Sequence, residues 1–291
     1  MIEIENEWLK VGIERKGAEI RTVKNKENNL DYMWSGDDKY WGRVSPILFP
    51  IVGRLKDDQY TINGQTYKMS QHGFLRDVEF DILEQSGTYA SFVFESAGRF
   101  MDVYPFEFKA IIHYTLKEDS VIIKWEIVNQ NQEEMYFSIG AHPAFKLPLL
   151  ENESVEDYRL YFTSDANKEV IEYELKNSLI SEKGQVNGIS SIPLTNDLFA
   201  NDALVFSNID KIKLVSPLSN HGLEVRFENF PFVGIWSRYM DDQSIAPFVC
   251  IEPWYGIADV NNTSGEFMEK FGINRLESGC TFGADYSIRF I

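Results

Sequence analysis

The chain has 291 residues, 44% of them hydrophobic and 14% aromatic, which is enough apolar material for a substantial core and excludes a disordered polymer. Lys and Arg number 28 against 45 Asp and Glu, a formal net charge of −17. A field of that sign repels nucleic-acid backbone and anionic membrane, so neither is expected as a partner.

The first residues, Met-Ile-Glu-Ile-Glu-Asn-Glu-Trp, carry no basic region followed by an apolar core, so no secretion signal is read there. No run of about 18 apolar residues is available to span a membrane, and a cytoplasmic protein is expected. Strand signals then dominate. Asn63-Gly64 between the β-prone runs Tyr60-Thr-Ile62 and Gln65-Thr-Tyr67 predicts a hairpin. Runs at 78–83, 89–95 and 106–116 follow. In 121–127, Val121, Ile123, Trp125 and Ile127 fall on one face and Lys124 and Glu126 on the other, as in a half-buried antiparallel strand. Further runs lie at 158–163, 211–215, 222–228, 232–237 and 284–290, separated by turn-rich segments. Their number and spacing predict an all-β, large antiparallel sandwich with few short helices.

Residues 164–202, rich in Asn, Ser and Gly, read as long surface loops. Thr263-Ser-Gly-Glu266 has capping-box spacing and leads into Phe267-Met-Glu-Lys-Phe-Gly272, which predicts a helix of about two turns. No linker, repeat or low-complexity segment marks a boundary, so one domain over residues 1–291 is expected. Cys250 and Cys280 have no CxxC or zinc-ligand spacing and read as two buried free thiols.

Four polar residues sit in Gly/Pro-aromatic contexts that read as turns at strand ends. Arg54 closes Ser45-Pro-Ile-Leu-Phe-Pro-Ile-Val-Gly-Arg54, and His72 lies in Gln71-His-Gly-Phe-Leu-Arg76. His142 lies in Gly140-Ala-His-Pro-Ala-Phe145, and Glu252 in Ile251-Glu-Pro-Trp-Tyr-Gly256. An imidazole and a carboxylate, with reference pKa values of about 6.5 and 4.3, can act as an acid/base pair near neutrality without metal or cofactor. Aromatic faces beside hydrogen-bonding groups suit a sugar, with its apolar C–H faces and polar rim. No metal-ligand cluster and no phosphate-cradling Gly motif is seen, so neither metal nor organic cofactor is expected.

Together these segments, with Gly17-Ala-Glu-Ile20, Trp34, Tyr40-Trp41 and Tyr104-Pro-Phe106, resemble the aldose 1-epimerase (galactose mutarotase) superfamily, in the branch of LacX-type and hexose-6-phosphate mutarotase relatives. The resemblance spans nearly the whole chain. It implies a β-supersandwich and an enzyme that interconverts α- and β-anomers, with Glu252 as base and His142 as acid. It also implies His72 and Arg54 as substrate contacts and Asp202 as a carboxylate clasping sugar hydroxyls. Trp254 and Phe74 flank the motif residues and are candidates for pocket lining or for core. Arg76, in His-Gly-Phe-x-Arg, is a candidate for a 6-phosphate or for a salt bridge to Asp77 or Glu79, with Arg43 next in line. His113 and His221 match no motif and read as structural. The expected partner is a small-molecule sugar, hexose or hexose 6-phosphate, and the expected assembly a monomer or homodimer. Two rivals remain: a non-catalytic sugar-binding protein on the same fold, and a glycoside hydrolase or lyase, which would need a second carboxylate that no motif supplies.

Overall fold

A computed structural model describes residues 1–164, 168–186 and 188–291. Among them, two large antiparallel sheets form the body. The first has nine strands, in spatial order Ser191–Pro193, Arg159–Ser164, Ile209–Val215, Gly222–Arg226, Thr281–Phe290, Ser120–Asn129, Phe108–Lys117, Tyr89–Glu95 and Asp81–Gln85. The alternation read at 121–127 is present here, with Val121, Ile123, Trp125 and Ile127 fully buried.

The second sheet carries the site, and its strands are labelled in chain order: β1 (Ile47–Leu48), β2 (Ile139–Ala141), β3 (Ala144–Lys146), β4 (Ile171–Lys176), β5 (Leu179–Gln185), β6 (Leu204–Ser207), β7 (Phe232–Trp236) and β8 (Phe248–Tyr255). Spatially they run β5-β4-β6-β7-β8-β2-β1, and β3 also pairs with β8. Strand β8 is the pivot because both of its faces are covered. Val249 and Ile251 enter the main core with Val233 and Ile235 of β7. Phe248, Cys250, Glu252 and Trp254 occupy the other face, where Phe248 and Cys250 pack with Trp34, Trp41 and Trp236.

Three expectations are corrected. Residues 171–185 form the β4–β5 hairpin rather than loop: Asn177 (φ 55°) and Ser178 (φ 63°) make a tight turn of the kind Asn-Gly usually marks, and Lys183 pairs with Glu172 across the strands. Residues 165–167 and 187, also within that expected loop, lie outside the described residues. The helix expected from Thr263 is a single 3₁₀ turn, Phe267–Glu269. Glu266 gives its carboxylate to Thr61 Oγ1 (2.6 Å), and Lys270 leaves helical geometry to direct its ammonium at the carbonyls of Ile257 and Phe271. Cys280 is exposed on a turn, whereas Cys250 is buried. The Asn63-Gly64 hairpin forms as expected.

Trp254 lies across its neighbours in the sheet because two of them lack side chains. A Cβ on Gly234 of β7 would come within 2.3 Å of the indole, and one on Gly140 of β2 within 2.6 Å. The ring therefore cannot retreat from one side without striking the other. Gly234→Ala is expected to destabilise the protein by about 1–3 kcal/mol, as overpacking of a closed site does. Gly283→Ala is the control, since its Cβ would meet nothing closer than 3.9 Å, and should shift stability by less than about 0.5 kcal/mol. Urea unfolding of both variants checks this, and equal effects would contradict the packing described.

Candidate active site

Glu252 sits in mid-strand on β8, not in a turn as its Pro-aromatic context suggested. Gly140 of β2 faces Trp254 and Ala144 of β3 faces Cys250; continuing that register brings His142 opposite Glu252. Pro143 interrupts the strand between β2 and β3 because it has no N–H, yet its carbonyl still accepts from Ile251 N (3.3 Å). The two ionisable side chains are thus cross-strand neighbours, whose Cβ atoms lie about 4.5–5.5 Å apart in any antiparallel pair. Their tips approach to 3.2 Å, His142 Nε2 to Glu252 Oε2, with side chains 9% and 2% exposed.

Aromatic rings enclose the imidazole. Trp41 stacks on His142 with centroids 4.7 Å apart, Trp236 meets it edge-on at 5.9 Å, and His72 meets it edge-on at 5.5 Å. Burial pushes the Glu252 carboxyl well above the usual carboxylate range, and the charge of Asp202 adds to the shift. Burial likewise pushes His142 down, to about 3, with the guanidinium groups of Arg76 and Arg43 adding to it. Removal from water favours carboxylic acid plus imidazole over carboxylate plus imidazolium, and the mutual attraction of the ion pair opposes this. Either form holds one proton and is neutral as a pair.

Both groups open into a cavity of about 460 Å³, within the range of roughly 300–1,000 Å³ of small-molecule sites. His72, Arg76, Asp202 and Trp254 line the same cavity. His72 has a left-handed backbone (φ 67°) that turns its ring toward Gly53, whose N–H donates to Nδ1 (3.1 Å). Accepting at Nδ1 leaves the neutral ring protonated at Nε2, and burial holds His72 well below the ordinary histidine range. His72 Nε2 lies 3.3 Å from the side-chain amide nitrogen of Gln71 in the cavity wall. Asp202 (φ 83°) sits on the segment leading into β6, with Oδ1 taking the N–H of Ala203. Arg76 donates to the carbonyl of Gln71 (2.7 Å), and burial lowers its pKa to about 10. Its alternative partners are engaged elsewhere: Asp77 lies 3.9 Å away and is held in bidentate fashion by Arg43, and Glu79 faces Arg15.

Arg54 and Phe74 are placed apart from this group. The Arg54 guanidinium is clamped by Asp58 (2.7 and 2.6 Å) in a neighbouring groove that shares only Gln71 with the main cavity. Phe74 stacks on Phe100 at 4.0 Å and packs against the core. His113 is bound to Tyr89 (2.8 Å), away from the cavity. Cavity residues that received no role from the sequence include Trp41, Trp236, Arg238, Gln71 and Ser178. Trp236 shares a face with Gly234 and Phe232, a signal available from the alternation of 232–236.

Buried polar atoms normally find partners, yet His142 Nδ1, Glu252 Oε2, Trp254 Nε1 and Arg76 Nε have none among the described residues. All four belong to residues of this one cavity. Five further unpartnered buried atoms lie elsewhere among the described residues, so the cavity holds four of nine.

The family model described as aldose 1-epimerase matches residues 1–272. The chromosomal and plasmid LacX proteins of Lactococcus lactis subsp. lactis are each 31% identical over 268 residues, covering 88% of this chain and 88% of each relative. Among solved structures, a galactose mutarotase related enzyme from Lactobacillus acidophilus superposes with a TM-score of 0.93 at 34% identity, covering 100% of this chain and 97% of its own. A galactose mutarotase-like protein from Lactobacillus casei gives 0.90 at 30% identity, with both chains fully covered. With a strand-built sandwich of the galactose mutarotase type and these relatives across its length, the chain belongs to the aldose 1-epimerase family of mutarotase-type, sugar-directed isomerases.

Proposed function

We propose that this protein interconverts the α- and β-anomers of an aldohexose, with Glu252 as the base at the C1 hydroxyl and His142 as the acid at the ring oxygen. The observation that carries the reading is the His142–Glu252 pair, buried and 3.2 Å apart, opening into a cavity whose other polar atoms also await partners. Glu252 takes the proton of the C1 hydroxyl while His142 gives its own to the ring oxygen; the C1–O5 bond breaks and C1 becomes a carbonyl. Opening thereby moves one proton from His142 to Glu252. The step starts from the carboxylate–imidazolium form, which burial disfavours, so it follows a proton transfer within the pair from Glu252 to His142, and the net charge of the site stays the same throughout. Rotation about C1–C2 and the reverse transfers close the ring on the other face. In this reading His72 donates to a hydroxyl, Asp202 accepts from hydroxyls, and Trp254 offers an apolar face to the sugar ring.

Arg76 favours a second form of the same reading, a hexose 6-phosphate. Its guanidinium lines the cavity, one N–H is buried without a partner, and the nearest carboxylate is committed to Arg43. The global charge of −17 slows encounter with an anion, but screening over about 8 Å leaves a local contact intact. Assembly as a monomer or homodimer and a single domain over 1–291 remain part of the proposal, as does the absence of any cofactor requirement.

Glu252→Gln should retain the fold and lose ~10²–10⁴-fold in anomer exchange, the usual effect of removing a general base. Exchange NMR on a folded variant reads this directly, and an unchanged rate would leave only sugar binding as the function. His142→Asn should depress turnover more than it weakens sugar affinity, whereas a loss confined to affinity would make it a ligand. Arg76→Ala should raise KM for a hexose 6-phosphate about tenfold or more, the effect of one charge-assisted contact, with little change for the free hexose. Arg54→Ala, already neutralised by Asp58, should move neither. Equal responses of both substrates to Arg76→Ala would assign that residue to structure.

A further inference from the structure

Cys250 lies two residues before Glu252 on the same face of β8, so its thiol points toward the catalytic pair from behind the cavity wall. The Cys250 sulfur, one His142 nitrogen and one Glu252 oxygen all lie within 4.8 Å of one another, in the one such group among the described residues. The sheet dictates this: Cys250 and Glu252 are next neighbours on one face of a strand, and His142 faces Glu252 from the adjoining strand. A tetrahedral ion with bonds of about 2.0–2.3 Å holds its ligand atoms about 3.5 Å apart. The His142–Glu252 separation of 3.2 Å already approaches that spacing, and the Cys250 sulfur lies within 4.8 Å of both.

Charge and softness narrow the ion. A thiolate, a carboxylate and a neutral imidazole bring two negative charges, so a divalent cation makes the buried assembly neutral and avoids the cost of an uncompensated interior charge. Sulfur and imidazole nitrogen select a zinc-like ion, whereas magnesium and calcium require oxygen cages. Glu252 Oε2 is buried with no hydrogen-bond partner and is aimed into this group. His142 and Glu252 line the cavity, so an ion would enter from there and water or a sugar hydroxyl would complete its shell.

We propose that Cys250, His142 and Glu252 form an inhibitory binding site for a thiophilic divalent cation of the zinc or cadmium type. Binding forms three metal–ligand bonds and releases two protons, one from the Cys250 thiol and one from the His142–Glu252 pair; nothing is oxidised or reduced. The bound ion occupies both groups that carry protons, so anomer exchange stops. Only this last consequence rests on the mutarotase reading.

The test uses cadmium ion and a Cys280→Ser protein, in which Cys250 is the sole remaining thiol. One cadmium per chain should bind, with an ultraviolet thiolate-to-cadmium charge-transfer band. Anomer exchange should fall by ~10²-fold or more, as when an acid/base pair is blocked, and return on chelation. Adding Cys250→Ser should remove the band and the inhibition while metal-free exchange persists. Should that variant fold poorly, Cys250→Ala gives the same readout, since Cys250 does not line the cavity. Absence of the band in the Cys280→Ser protein, or equal inhibition without Cys250, overturns the site. A band with the expected stoichiometry in a protein that exchanges no anomers would instead overturn the mutarotase reading and leave the metal site standing.

Discussion

A carboxyl and an imidazole held 3.2 Å apart with almost no access to water can persist only where the surrounding structure fixes both side chains, because each loses several kcal/mol of hydration and neither can drift to a better partner. The eight-stranded sheet supplies that constraint. Glu252 is anchored by β7 on one side and by β2 and β3 on the other, and the same ladder delivers His142 opposite to it. The inner face of β8 belongs to the main core, so the strand cannot shift without unpacking Val249 and Ile251. Much of the site follows from this placement: Gly234 and Gly140 leave the space that Trp254 fills, and Trp41 and Trp236 close over the imidazole.

Burial does more than hold geometry. It favours a neutral pair holding one proton, and under the proposed mechanism a sugar would pass through ring opening without the protein gaining or losing net charge. In that mechanism each transfer would be matched by its opposite within one cavity, as a reaction with no net proton change requires. Two guanidinium groups, Arg76 and Arg238, line the cavity, while the chain as a whole is acidic. In the proposed 6-phosphate reading, the local guanidinium charge would outweigh the overall field, which is screened over about 8 Å.

Much of this was legible in the sequence, and what was not has physical causes. The alternating strand at 120–129 and the Asn-Gly hairpin at 59–68 announce themselves because one face is buried and the turn needs positive φ. Strand β8 does not, since both its faces are covered and no alternation remains to be read. Its Glu-Pro-Trp-Tyr-Gly motif was visible, but its place in mid-strand was not. The β4–β5 hairpin escaped because Asn-Ser replaces Asn-Gly at its turn. The capping-box spacing at Thr263 misled because Thr61, distant in sequence, captures the Glu266 carboxylate. Glu252, His142, His72, Arg76, Asp202 and Trp254 are gathered around one cavity, whereas Arg54 is held outside it by Asp58, a partner only four residues away, and Phe74 by Phe100, a partner no local pattern reveals.

The protonation of the His142 imidazole tests the account most directly, and ¹⁵N NMR of the histidine side chains reads it. At neutral pH, without sugar, His142 should show the nitrogen shifts of a neutral ring, and those shifts should change when a hexose or its 6-phosphate is added. An imidazolium in the sugar-free protein, or a ring indifferent to every sugar offered, would contradict the buried one-proton pair as the centre of this site.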